Sequence, residues 1–217
     1  MEAGTIRQPV RDDRAQGRSQ TSNGVARALP ITADPGPLGL AAFALTTFVL
    51  SIFNSGLVSD AGAPVVLGLA LAYGGVAQLL AGMWEFRTGN TFGAVAFTSY
   101  GAFWLSFWAL GQFFEKDVPK AHLTHSLAVY LIAWAVFTTY MWVASFRVSA
   151  AVNVVFLLLA TTFFLLGIGN AVDNPDIVKA GGFVGIGTAA AAWYASFAAV
   201  VNSTFGRTIL PVRDLKK

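Results

Sequence analysis

The 217-residue chain is 55% hydrophobic and 12% charged, with 14 Lys and Arg against 11 Asp and Glu. A soluble domain carries about 25% charged residues, so this composition describes an integral membrane protein, and the small positive charge is better explained by topology than by nucleic acid. No cysteine and two histidines exclude disulfides and thiolate chemistry and leave no donor set for zinc or haem.

Residues 1–33 are polar, with Arg7, Arg11, Arg14, Arg18 and Arg27 among Asp, Gln, Ser, Thr and Asn, and read as a disordered tail. Asp34-Pro35-Gly36-Pro37-Leu38-Gly39-Leu40 then leads into the first apolar run, which reaches about Leu57. Two prolines around a glycine predict a helix starting at or just after Pro37, with Asp34 placed to cap it. Within this run Thr47, Ser51 and Asn54 share one face.

The second run spans about Val65 to Trp84 and ends at Glu85, Arg87 and Gly89. Its glycines at 68, 75 and 82 recur every seven residues and predict one close-packing face, beside which Gln78 is costly if turned to lipid. The third run extends from about Thr91 to Phe114 and carries Thr98, Ser99, Tyr100, Ser106 and Gln112. A solvated loop over 115–120 follows. The fourth covers about Leu123 to Ser145, the fifth about Ala150 to Ile168, and the sixth about Ala180 to Val201. Residues 34–205 therefore read as an all-α domain of six transmembrane helices, and 206–217 as a basic tail.

An even number of spans puts both tails on one side, together with Arg87 and Arg147. That side holds all but Lys116, Lys120 and Lys179 of the 14 basic residues, which predicts both termini in the cytoplasm. Five spans would split the basic tails.

No span carries a charge at its centre. Glu85, at a span end, has two open roles: a carboxylate tying down the following turn, or a mouth residue in proton-sensitive contact. His122 and His125 share a face at the end of the fourth run, as interface residues or as part of a pH-sensitive vestibule. Tyr100, inside the third run, reads from its own context as a core residue. No glycine pair is followed by the lysine that a nucleotide-binding loop needs.

These residues carry a resemblance to the acetate uptake transporter family, whose bacterial members include the succinate–acetate permeases. Asp34 to Leu40 resembles the family's Asn-Pro-x-Pro-Leu-Gly-Leu signature. Tyr73-Gly74-Gly75, Gln78, Ala81-Gly82, Glu85, Gly89 to Gly93 and Ala96 to Gly101 resemble its second signature, and Ile168-Gly169-Asn170 and Phe205 to Pro211 match further on.

The resemblance implies a six-helix protomer that carries acetate, and in some members succinate, across the plasma membrane. It implies homo-hexamers with one path per protomer, working as proton-coupled carriers or as anion channels, with no enzyme activity and no cofactor. Carried over by motif, Phe43, Tyr100 and Leu159 form a hydrophobic constriction. Thr47, Asn54, Gln78 and Ser99 are polar candidates along the path, and Asp34, Pro35, Pro37 and Glu85 stand at the mouth. Asp34 replaces the family's usual asparagine and disfavours a dianion more than a monoanion by repulsion. The alternative is a membrane sensor or structural protein of the same fold that moves nothing.

Overall fold

The computed structural model describes residues 32–215, so the expected disordered tail, apart from its last two residues, and its five arginines lie outside the described part. Six helical stretches follow: α1 (Gly36–Asn54), α2 (Asp60–Thr88), α3 (Thr91–Ala109), α4 (Lys120–Ser145), α5 (Ala150–Ala171) and α6 (Pro175–Phe205). Among the described residues there is no strand, only an isolated antiparallel bridge between Ser149 and Asp214.

Local chemistry sets the helix ends. Asp34 Oδ1 accepts the Gly36 N–H at 2.9 Å at the proline-rich start of α1. Asn90 Oδ1 accepts the Gly93 N–H at 3.1 Å and caps α3, Ser149 caps α5, and Asn174 caps α6 ahead of Pro175. Gly89, at φ +77°, closes α2 in a left-handed conformation that other residues adopt at a cost.

Five of the six helices are long and apolar enough to cross a membrane. The exception is α3, uncharged but diluted by Thr91, Thr98, Ser99, Tyr100 and Ser106. Helix α2 is not one continuous α-helix: Ala72–Ala77 is a π-helical turn. Such a turn shifts the phase of the residues on its two sides. The seven-residue glycine seam is accordingly broken. Gly75 and Gly82 are pressed against Leu105 and Thr98 of α3, whereas a side chain at Gly68 would meet nothing within 4 Å.

Each helix packs on its chain neighbours, and α6 packs extensively on α1, so the six close into a ring. The α3–α4 edge is its thinnest seam, where the rings of Tyr100 and Phe103 on α3 meet Tyr130, Trp134 and Phe137 on α4. Helix α4 is also the most peripheral of the five, with 22% of its apolar window buried against 39–44% for the others.

Beyond α6, the chain doubles back. Asn202 holds Ile209 and Leu210, and the carbonyls of Val212 and Arg213 accept the N–H groups of Ala151 and Ala150. Those are amides that the first turn of α5 cannot satisfy within the helix.

Candidate functional site

A cavity of about 630 Å³ opens inside the ring and is lined by residues from all six helices. Thr47, Ser51 and Asn54 of α1 line it together, as their common face predicts. Opposite stand Trp104 of α3, Tyr130 of α4 and Thr162 of α5. Away from the Asn54 end, the cavity reaches Phe43 and Leu159, which belong to the same buried apolar cluster as Tyr100 and Phe156. The rings of Phe43 and Tyr100 lie 5.8 Å apart. Phe43, Tyr100 and Leu159 come from α1, α3 and α5, and all are at most 5% exposed.

Tyr100 and Gln78 do not line this cavity; Tyr100 belongs to the apolar cluster that the cavity meets at Phe43 and Leu159. Gly74 packs on Thr46 and Leu79 on Gly101, which puts Gln78 at the height of Phe43 and Tyr100. The amide is 1% exposed, and its Oε1 has no hydrogen-bond partner among the described residues. Thr47 Oγ1, Thr98 Oγ1 and Trp104 Nε1 are likewise buried without partners. Trp142 Nε1 is a further such atom, and each buried polar atom left unpaired costs about 1–3 kcal/mol. Ser99 is half-buried on α3 and does not reach the cavity wall.

Glu85 lies seven residues from Gln78 on α2, two helical turns away, and is the only charged side chain buried among the described residues. Its Oε2 accepts from Thr88 Oγ1 and from Asn90 Nδ2, both at 3.0 Å. Since Asn90 also caps α3, the carboxylate ties the α2–α3 turn together. Its other oxygen faces the α1 start: a Cβ at Gly36 would stand 3.5 Å from Glu85 Oε1 and 3.0 Å from Asp34 Oδ1. Asp34 and Glu85 thus lie on either side of Gly36, and Gly36 and Gly93 leave the carboxylate room. His122 and His125 are exposed.

Sequence reasoning missed the surroundings of Tyr100. Phe43, Trp134, Phe137 and Phe156 enclose its ring, with centroids 5.4–6.1 Å away. Its hydroxyl lies 2.9 Å from Thr138 Oγ1. Thr138 stands beside Thr139 and Tyr140 in α4, and nothing local tied it to a residue 38 positions earlier.

The ring of helices, five of them long and apolar enough to cross a membrane, around an internal cavity defines a multi-pass membrane protein. The chain belongs to the GPR1/FUN34/yaaH family, whose model matches residues 20–217. It is 43% identical over 195 residues to acetate permease A of Emericella nidulans, covering 83% of this chain and 65% of that protein. It thus spans about two thirds of that fungal relative's length. It is 39% identical over 182 residues to the succinate-acetate/proton symporter SatP of Escherichia coli K12, covering 84% of this chain and 96% of SatP. Among solved structures it resembles the bacterial acetate channel SatP, with a TM-score of 0.79 and 38% identity over 84% of this chain and 99% of that one.

Proposed function

We propose that the chain moves acetate and other short carboxylates across the cell membrane along the axis of its own helix ring. The supporting observation is the cavity walled by all six helices that reaches Phe43 and Leu159, with Tyr100 in the same apolar cluster and the unpartnered amide of Gln78 at its height. In this reading Phe43, Tyr100 and Leu159 are the constriction. An apolar constriction resists hydrated ions through the cost of stripping their water. Acetate presents a methyl group to such a ring, while Thr47 and Asn54 on one side and Gln78 on the other serve its carboxylate.

Glu85 and Asp34 border the other mouth, with Pro35 and Pro37 holding the start of α1 beside them. Two carboxylates there favour monoanions over succinate. Relatives named as a symporter and as a channel support permeation with or without a coupled proton. Acetate uptake into proteoliposomes, at fixed acetate and fixed voltage, separates these: a proton symporter accelerates under an imposed pH gradient, and a channel does not. Uptake no faster than into protein-free vesicles overturns transport itself.

All six helices cross the bilayer in this reading, with α3 shielded from lipid by its neighbours and both termini cytoplasmic. Protease-cleavable tags at residues 1 and 217 are expected to be protected in intact cells; cleavage of either tag from outside contradicts the topology. The family resemblance supports a homo-hexamer, and native mass measurement in mild detergent that finds only monomer contradicts it.

A further inference from the structure

We infer that Thr138 is a positioning residue for the constriction: its Oγ1 accepts a hydrogen bond from the Tyr100 hydroxyl and holds the Tyr100 ring across the path. Thr138 Oγ1 lies 2.7 Å from the Trp134 carbonyl and 2.9 Å from Tyr100 Oη. A carbonyl has no hydrogen to give, so the threonine donates to it, and its single proton is spent. Tyr100 must then be the donor in the second contact. The tyrosine hydroxyl is therefore not a free donor waiting for a carboxylate; its hydrogen points away into α4. Thr138 is fully buried and Tyr100 is 3% exposed, so water offers neither a substitute partner.

The position of the pair in the fold gives this bond a second consequence. Helices α3 and α4 form the thinnest seam of the ring, and hydroxyl bonds span it at two heights. Besides Tyr100–Thr138, Tyr130 Oη meets Ser106 Oγ at 2.7 Å. The surrounding aromatic rings set the plane of Tyr100, and Thr138 fixes its far end. Losing the tether frees the ring to tilt and loosens the constriction, without removing any atom from it.

The inference rests on Tyr100 being part of the constriction, and the test separates the two ideas. Acetate and lactate flux are measured per correctly assembled protein for Thr138→Val, Thr138→Ser, Tyr100→Phe and the Val/Phe double variant. Thr138→Val and Tyr100→Phe should each raise the lactate-to-acetate ratio roughly threefold or more, as loss of one buried hydrogen bond allows. Thr138→Ser keeps the hydroxyl and should match the parent, and the double variant should exceed neither single one. If the Tyr100 hydroxyl instead serves the anion, Thr138→Val frees it and improves acetate transport while Tyr100→Phe impairs it; opposite signs overturn the inference. So does an unchanged ratio in both. If Thr138→Val fails to assemble, Tyr100→Phe decides alone: a ratio raised by added lactate flux with acetate flux retained supports the tether, and an unraised ratio or a loss of acetate flux refutes it. Where Leu159→Ala shifts selectivity and these variants do not, the constriction stands and only the tether falls.

Discussion

Replacing Leu159 with alanine is expected to raise lactate and succinate flux relative to acetate by roughly tenfold per assembled protein, and Phe43→Ala should do the same. Both side chains border the cavity and both are at most 5% exposed, so truncation opens space where the path narrows. Discrimination by the fit of one small apolar group is worth about 1–3 kcal/mol, which sets the size of the change. Truncation also costs stability, about 2–5 kcal/mol for a buried leucine, so flux must be normalised to folded protein. A lower yield with an unchanged substrate ratio in both variants would mean that these side chains only pack the bundle.

The second large effect concerns the scaffold. Gly182→Val is expected to abolish folded, assembled protein. A Cβ at Gly182 would fall on the backbone of Asn54 and Ser55, at the end of α1. Added bulk in a packed core usually costs about 1–3 kcal/mol, and a backbone obstacle cannot step aside as a side chain can. The α1–α6 contact would have to open, and with it the ring around the cavity. Gly68→Val is the matched control, since nothing lies within 4 Å of its Cβ position, and its yield should equal the parent's. Equal yields from both variants would show that the α1–α6 contact tolerates separation.

Much of this architecture is legible in the sequence because it is local. Each apolar run announces its helix, Pro37 marks the start of α1, and the spacing of Thr47, Ser51 and Asn54 identifies the face that lines the cavity, whereas α6 starts at Pro175, five residues before the expected Ala180, because Asn174 caps it. What escapes is either a phase shift or a long-range pairing. The π turn at Ala72–Ala77 leaves no compositional mark, yet it rotates Gly68 off the face shared by Gly75 and Gly82. Gly182 looks like any small residue of a membrane helix until Asn54 and Ser55 arrive against it. Nothing near Tyr100 in the sequence announces Thr138, whose hydroxyl meets that of Tyr100 from 38 positions along the chain. Glu85 had two readings: one oxygen does tie the turn through Thr88 and Asn90, while the other lies near Gly36 and Asp34 at the start of α1, where the proposed function puts the mouth.

The central claim is that acetate crosses through the interior of the protomer, past Leu159. The most direct measurement is labelled acetate entry into proteoliposomes well above the pKa of acetic acid, where the anion dominates and leakage of the neutral acid is small. The parent protein and an assembled Leu159→Trp variant are compared, the indole filling the space where the cavity meets Phe43 and Leu159. The account predicts protein-dependent entry for the parent and entry close to that of protein-free vesicles for the plugged variant. Undiminished entry through assembled Leu159→Trp protein would place the acetate path elsewhere.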